Sequence, residues 1–254
     1  LNAGALSFTN ITSNSLTINP GTTVLLGTSG VISDTAAITV NGTFDLNGYS
    51  ETVGSIAGTG LITSSRAGTP TLTVGGDNTT TTFSGVLENG LSTVSLTKLG
   101  TGTMTLGTAN TYTGVTTIHT GTLAIYNAAS LGSTSAGTIV RGSGKLALFN
   151  NINVGSEELA LNKGTVSLSN ESGNNSWGGP ITIGQTTTIN SMAGSLYLNQ
   201  SVTGTNVSLA ATGLGSMTIS GTMTLGTGSL TTSMGALTLA SANNYSGTTT
   251  VTEG

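Results

Sequence analysis

The apolar residues of this 254-residue chain alternate with polar ones in short bursts. Leu16 and Ile18 flank Thr17, and the same apolar–polar–apolar pattern recurs at residues 72–74, 166–168 and 196–198. Each burst has a period of two residues and is closed by Gly, Asn or Ser, which is typical of a half-buried β-strand ending in a tight turn. No stretch carries the 3.6-residue apolar stripe of an amphipathic helix. The pattern therefore predicts an all-β protein of many short strands.

The bursts follow a template in which Gly and one small or polar residue precede the apolar–any–apolar triplet. In the second part of the chain the template glycines are Gly102, Gly121, Gly144, Gly164, Gly194, Gly215 and Gly235. Segments 104–121 and 237–254 are identical at nine of eighteen positions, and the offset between them equals the distance from Gly102 to Gly235. We interpret this offset as six steps of one repeat. A fixed period of about 21 residues predicts a repeat architecture.

A repeat of this length is too short for a propeller blade, which needs about 40 residues, but it suits one coil of a parallel β-helix. Each coil of such a solenoid buries its inward residues and contacts only the coils next to it. We predict a single β-solenoid domain, residues 1–254, with about twelve coils of about 21 residues each. Thr105 should point outward. The residues predicted to point inward are Leu106, Ile118, Leu123, Ile125, Leu146, Leu148, Leu237, Leu239 and Val251.

One segment resembles a known family. Residues 106–118, Leu-Gly-Thr-Ala-Asn-Thr-Tyr-Thr-Gly-Val-Thr-Thr-Ile, followed by Gly-Thr-Leu at 121–123, resemble the passenger-associated transport repeat of bacterial autotransporters. Residues 239–251 resemble a second copy, and residues 42–60 and 177–183 resemble other stretches common in those passengers. The resemblance implies a right-handed parallel β-helix in a large extracellular protein of the bacterial cell surface. The turn residues of the two copies are expected to be structural: Asn110, Tyr112 and Gly114, and Asn243, Tyr245 and Gly247.

The composition excludes several classes of function. Only 6% of the residues are charged, with five Lys and Arg in total and a net charge of −4, so the basic footprint of a nucleic-acid-binding protein is missing. The chain has no Cys, which rules out disulfides and thiolate zinc sites. Its longest apolar runs are four residues, too short for a membrane-spanning segment. We expect no metal and no cofactor.

Few residues are candidates for catalysis. His119 is the only histidine, and the alternation around it places it on the outer surface. The nine carboxylates are scattered and predicted to be solvated, and Glu157 and Glu158 are the only adjacent pair. Polysaccharide hydrolases need converging acids, whereas neighbours on a strand point to opposite faces. We therefore predict no catalytic residue and no enzymatic activity, although a loop at 157–158 would let the two acids converge.

The longest step, from Gly164 to Gly194, contains a polar segment around the only Trp of the chain. Inserts of this kind often leave a solenoid as loops on its binding face. We predict that residues 169–180 form such a loop, with Trp177, Asn174 and Asn175 as possible ligand contacts. Trp177 could stack on a sugar, but we favour the alternative in which it packs down beside Pro180 and Ile181, as in the family that the chain resembles.

These patterns favour an extracellular structural or adhesive protein that forms a rigid stalk, fibre or filament. A carbohydrate-binding module and a polysaccharide-acting β-helix enzyme stay open as alternatives. Residues 1–33 and 172–252 carry no charge, whereas exposed strand edges are normally protected by charges or by a cap. We therefore expect end-to-end contacts with further solenoid repeats or with copies of the same chain, and surface glycans are a second candidate partner.

Overall fold

Parallel β-strands stacked one above another make up the structure, a computed structural model that describes residues 6–8 and 11–252. They form a β-solenoid of about 11 turns of roughly 21 residues. The predicted all-β solenoid is confirmed, with about one coil fewer than expected. The described residues include no helix, and so none that is long and apolar enough to cross a membrane. Residues 1–5, 9–10 and 253–254, which include the end of the second motif copy, lie outside the described part.

The strands are short in most coils and longer where two faces are joined without a break. In the first third of the chain they are β1 (Leu6–Phe8), β2 (Ser15–Ile18), β3 (Thr23–Leu26), β4 (Ala37–Val40), β5 (Thr43–Asp45), β6 (Glu51–Val53), β7 (Ser55–Ala57), β8 (Leu61–Thr63) and β9 (Thr71–Val74). The middle third contains β10 (Thr81–Phe83), β11 (Val86–Leu87), β12 (Ser95–Lys98), β13 (Thr103–Leu106), β14 (Thr116–Ile125), β15 (Thr138–Leu148), β16 (Asn153–Val154), β17 (Leu159–Asn162) and β18 (Val166–Asn170). The last third contains β19 (Asn174–Trp177), β20 (Ile181–Ile183), β21 (Thr187–Ser191), β22 (Ser195–Leu198), β23 (Val202–Gly204), β24 (Leu209–Ile219), β25 (Met223–Gly226), β26 (Leu230–Leu239), β27 (Asn244–Tyr245) and β28 (Thr249–Val251).

Each coil passes through three faces, here called A, B and C in chain order. Face A is built from β6, β9, β12, the first parts of β14 and β15, and then β17, β20, β23, β25 and β27. Face B contains β10, β13, the second parts of β14 and β15, and then β18, β21, β24, β26 and β28. Face C starts with β1, β3, β5, β8 and β11 and later contains β16, β19, β22 and the second parts of β24 and β26. All of these pairings are parallel.

The core fills the interior of the coils and contains the inward side chains of all three faces. In β13 the pattern is half-buried, buried, half-buried, buried, so Met104 and Leu106 point inward while Thr105 points outward. Six of the predicted inward residues are at most 1% exposed: Leu106, Ile118, Leu123, Ile125, Leu146 and Leu148. Leu237 and Leu239 are only partly buried, and Val251 is 78% exposed. These three lie in the last described coils, and no described coil stacks over Val251.

The interpretation of the offset between the two motif copies as six whole coils is wrong. Ile118, in the first motif copy, belongs to the face-A ladder that runs through Val140, Leu161 and Ile183. Its counterpart Val251 belongs to the face-B ladder of Thr232, which leads back through Ala211, Ile189, Leu168 and Leu146 to Leu123. The two copies therefore lie six coils plus about a third of a coil apart.

The long step from Gly164 to Gly194 is where this shift of one face occurs. The template strand after Gly164 is β18 on face B, where Leu168 pairs with Ile189. The template strand after Gly194 is β22 on face C, where Leu196 pairs with Asn175 and Met217. The step is thus one coil plus one face, and the predicted loop is wrong, because residues 166–170 and 174–177 are strands β18 and β19.

Candidate functional site

Three corners of the solenoid share the pattern Asn-x-Tyr/Trp-x-Gly. They lie at residues 110–114, 175–179 and 243–247. The first and third contain the predicted turn residues, and the second lies in the segment predicted as a loop. The first two connect face C to face A, whereas the third connects face A to face B. We call them corner 1, corner 2 and corner 3.

At corner 1, the buried Asn110 joins three successive coils. Its Oδ1 accepts a hydrogen bond from the backbone N–H of Leu87 at 2.8 Å, and its Nδ2 donates to the carbonyl of Ser130 at 2.6 Å. Tyr112 is fully buried, and its hydroxyl is 2.6 Å from Thr116 Oγ1. This burial raises the pKa of the Tyr112 phenol. A Cβ at Gly114 would overlap the carbonyl oxygen of Val94, so the close approach of two coils requires glycine here.

Corner 2 repeats the contact of the Asn oxygen with the preceding coil, whereas its other hydrogen bonds differ from those of corner 1. Asn175 is fully buried, its Oδ1 accepts from the backbone N–H of Ile152 at 2.7 Å, and its Nδ2 donates to the carbonyl of Ser172 at 2.8 Å. Trp177 is also fully buried, and its Nε1 donates to the carbonyl of Glu157 at 2.8 Å. Trp177 therefore presents no surface on which a sugar could stack, and its burial agrees with the packed alternative.

The third predicted contact, Asn174, is exposed but also holds neighbouring coils together. Its Oδ1 accepts from the backbone N–H of Ser195 at 3.1 Å, and its own N–H donates to Asn151 Oδ1 at 2.8 Å. The structure thus places Asn174 on the surface and Asn175 and Trp177 in the interior, which separates the three residues that the loop would have brought together.

Corner 3 repeats these contacts near the end of the described chain. Asn243 Oδ1 accepts from the backbone N–H of Met223 at 2.9 Å, and the Tyr245 hydroxyl is 2.7 Å from Thr249 Oγ1. In all three corners, the Asn oxygen satisfies a backbone donor of the preceding coil that has no strand partner at the bend. The side-chain polar atoms of these residues thus form hydrogen bonds within the solenoid.

The sequence-based prediction that all nine carboxylates are solvated is wrong. Asp45, Glu51 and Glu157 are buried. Glu51 accepts from the backbone N–H groups of Val31 and Ile32 at 3.0 and 3.3 Å, and burial raises its pKa against the lowering effect of these bonds. Asp45 Oδ1 accepts from the N–H groups of Asn47 and Ser65 at 2.7 and 2.9 Å. These two side chains act as acceptors for backbone groups at bends, as the corner asparagines do.

Glu157 is 2% exposed and differs from the other two carboxylates because its bonded partner is a side chain. Thr138 Oγ1 donates to its Oε1 at 2.8 Å. Burial raises the pKa of Glu157 to about 7, and the charge of Glu158 adds to the increase. Glu158 is exposed, so the two neighbours point in opposite directions and do not converge into an acid pair.

Two lysines lie where aliphatic residues are expected. Lys98 occupies the inward ladder between Val74 and Ile118, and its Nζ donates to the carbonyls of Leu99 and, at 3.1 Å, of Gly100. Burial lowers the pKa of Lys98 to about 8. Lys163 is similarly buried, donates to the Gly144 carbonyl, and has a pKa lowered by burial and by the nearby Lys145.

The described part of the chain does not bring the candidate catalytic or metal-binding residues together into one cluster. His119 is exposed where the pairing of β14 with β15 shifts register. Within residues 6–8 and 11–252, no three His, Cys, Asp or Glu residues lie close enough together to hold a metal ion. The one ion pair of that part joins Lys145 and Glu171 at 2.8 Å on the surface.

An aromatic pair on the surface was missed in the sequence. Tyr126 and Phe149 stack with ring centroids 4.6 Å apart and an angle of 3° between the ring planes. The sequence does carry a signal, because each aromatic residue follows a template glycine, Gly121 or Gly144, by five positions. Equal offsets in consecutive coils place side chains one above the other.

Comparison with known families identifies the segment around corner 1. The family model described as Passenger-associated-transport-repeat matches residues 96–125. The chain carries a passenger-associated transport repeat. The matched segment includes β13, corner 1 and β14, and this repeat in a β-solenoid is consistent with an autotransporter passenger. The repeat implies a secreted, cell-surface location. No curated protein and no solved structure matches the chain.

Proposed function

We propose that this chain is a non-catalytic segment of an extracellular stalk or fibre, extended end to end by further solenoid coils. The observation that carries the proposal is the uncovered apolar surface of the last described coil. Val251 is 78% exposed, although Leu146, Leu168 and Ile189 at equivalent positions in its ladder are fully buried. A coil stacked on this surface would remove the same apolar area from water as each coil inside the solenoid does.

The strand edges support the same proposal. β28 pairs with β26, and Thr252 N–H donates to the Thr232 carbonyl at 2.9 Å, while no described strand pairs with the other edge of β28. No charged residue lies between 172 and 252 that would discourage a strand from adding there. Continuation can come from the same polypeptide or from a second copy, and both give a longer rod of the same cross-section.

Sedimentation and electron microscopy of the 254-residue chain test association between copies. We expect concentration-dependent association and rods longer than the roughly 50 Å of one solenoid. The double variant Thr250→Lys, Thr252→Lys places charge on the terminal edge and should abolish association. The matched control Thr231→Lys, Ser233→Lys carries the same charges on the same face one coil earlier, and it should associate like the parent. A parent that stays monomeric at high concentration would restrict the proposal to continuation within one polypeptide.

A further inference from the structure

The Tyr126–Phe149 stack follows from the coil geometry. Both residues come directly after a face-B segment, and their backbone N–H groups donate to the carbonyls of Leu106 and Ile125 at 3.2 Å each. They are thus equivalent positions in consecutive coils, and the spacing of parallel strands places one ring over the other. Phe149 covers one face of the Tyr126 ring, and Tyr126 is still 39% exposed.

The opposite side of Tyr126 is open because the equivalent residue of the preceding coil is Gly107. Its N–H donates to the Phe83 carbonyl at 3.2 Å, which places it in the same column as Tyr126. A methyl group at 107 would meet only Ser84 Oγ at 3.3 Å and the Phe83 carbonyl at 4.0 Å. The missing side chain leaves a shallow, largely open surface pocket of about 430 Å³. It is lined by Thr82, Thr105, Gly107, Tyr126 and Asn150.

The lining has the chemistry of a site for a neutral, hydroxyl-rich ring. None of the five residues is charged, and the hydroxyls of Thr82 and Thr105 have no hydrogen-bond partner within the described part of the chain. Asn150 Nδ2 donates weakly to the Tyr126 carbonyl at 3.4 Å, which leaves its oxygen as a further acceptor. An aromatic plane beside a few neutral donors and acceptors can pack against the C–H face of a pyranose while bonding its hydroxyls. A nucleotide would also stack on Tyr126, but its phosphate would find no cation in the lining.

We propose that this pocket binds one pyranose ring of a neutral polysaccharide, stacked on the side of Tyr126 that Gly107 leaves open. The site lies on the flank of the solenoid, so it is independent of end-to-end extension. A stalk with such a site would adhere along its side to a glycan surface.

Calorimetric titration of the 254-residue chain tests the proposal. The neutral probes are cellohexaose, laminarihexaose and N-acetylchitohexaose, and the anionic probe is an oligogalacturonate of similar length. We expect at least one neutral probe to bind and the oligogalacturonate to bind at least tenfold more weakly. Tyr126→Ala, which removes the platform, and Gly107→Leu, which fills the pocket but keeps Tyr126, should each weaken binding at least tenfold. Tyr126→Phe keeps the ring and should stay within about threefold of the parent.

Tyr197→Ala is the matched control. Tyr197 lies on face C with 40% of its surface exposed, nearly the same as Tyr126, and it is not among the five lining residues. This variant should bind the neutral probe within twofold of the parent. The proposal is overturned if no neutral probe binds, if folded Tyr126→Ala binds like the parent, if Tyr197→Ala weakens binding as much as Tyr126→Ala, or if the oligogalacturonate binds as tightly as the neutral probes.

Discussion

At the bends of the coils, single buried polar side chains accept hydrogen bonds from backbone N–H groups. Glu51, Asn110 and Asn175 each accept hydrogen bonds from backbone N–H groups of an earlier coil. Such a donor would otherwise be buried without a partner, at a cost of about 1–3 kcal/mol. Glu157 differs because its partner is the Thr138 hydroxyl, which can donate to a carboxylate and also accept from a protonated carboxyl. Glu157 remains protonated near neutral pH because burial raises its pKa to about 7, although the bond from Thr138 lowers it.

The raised pKa of Glu157 predicts a pH dependence of stability. The carboxyl loses its proton near pH 4.5 in the unfolded chain and at about pH 7 in the folded one. Between these values the folded state holds more protons, so the free energy of unfolding falls as the pH rises, by on the order of 3 kcal/mol from this group. Glu157→Gln should match the parent at pH 4 and be more stable at pH 8, as measured by chemical denaturation.

The neighbouring residue provides the control for this prediction. Glu158 is exposed, and Glu158→Gln should keep the fall of stability with rising pH, made somewhat smaller because the charge of Glu158 adds to the raised pKa of Glu157. A constant difference between Glu157→Gln and the parent at every pH would show that the substitution acts through packing rather than through ionisation.

Within each strand, the phase of the alternation, that is, which residues point inward, decides which side chains are buried. Leu148 is fully buried in β15 and pairs with Ile125 and Asn170. Replacing it with Asp removes apolar contacts and buries an unpaired charge, which should lower the free energy of unfolding by about 4 kcal/mol or more. Thr105→Asp, on the outward side of β13, should cost less than about 1 kcal/mol. Equal losses from the two variants in a denaturation series would contradict this strand phase.

The sequence was sufficient for strand phase and period but not for the face that each repeat occupies. In β13 the alternation of Met104, Thr105 and Leu106 directly reports burial, because a strand has only two sides. The template after Gly164 and after Gly194 is the same, yet one lies on face B and the other on face C. With three faces of similar length, the long spacing between these two glycines fits a loop as well as a shift of one face, and only the ladder pairings distinguish them.

The candidate site shows the same limit at the level of side chains. Asn175, Trp177 and Gly179 repeat the pattern of Asn110, Tyr112 and Gly114, so corner 2 could have been recognised from the sequence. The burial of Glu157 and Lys98 could not, because their partners are a hydroxyl and backbone carbonyls of other coils or turns. The pocket beside Tyr126 could not be predicted either. It depends on Gly107 and Tyr126 occupying equivalent positions in consecutive coils, and this is known only once the coils are aligned.

At the scale of the whole molecule, the solenoid is nearly one-dimensional, because each coil contacts only the coils before and after it. Stability then depends on how many neighbours a coil has. β20 pairs with β17 and β23, whereas β28 pairs with β26 alone within the described residues. Local opening should therefore be easiest at the β28 end, where Val251 is 78% exposed.

Hydrogen exchange tests this gradient and connects it to end-to-end extension. In dilute solution, the amides of β28 should exchange at least about tenfold faster than those of β20, because opening β28 breaks one interface and opening β20 breaks two. If copies stack on the terminal coil, raising the protein concentration should slow exchange in β28 and leave β20 unchanged. Thr250→Lys, Thr252→Lys should remove this concentration dependence, and the one-coil-earlier control Thr231→Lys, Ser233→Lys should retain it. Protection of β28 equal to that of β20 in dilute solution would mean that the terminal coil is stabilised by something other than a stacked neighbour, and it would count against the exposed edge as the origin of extension.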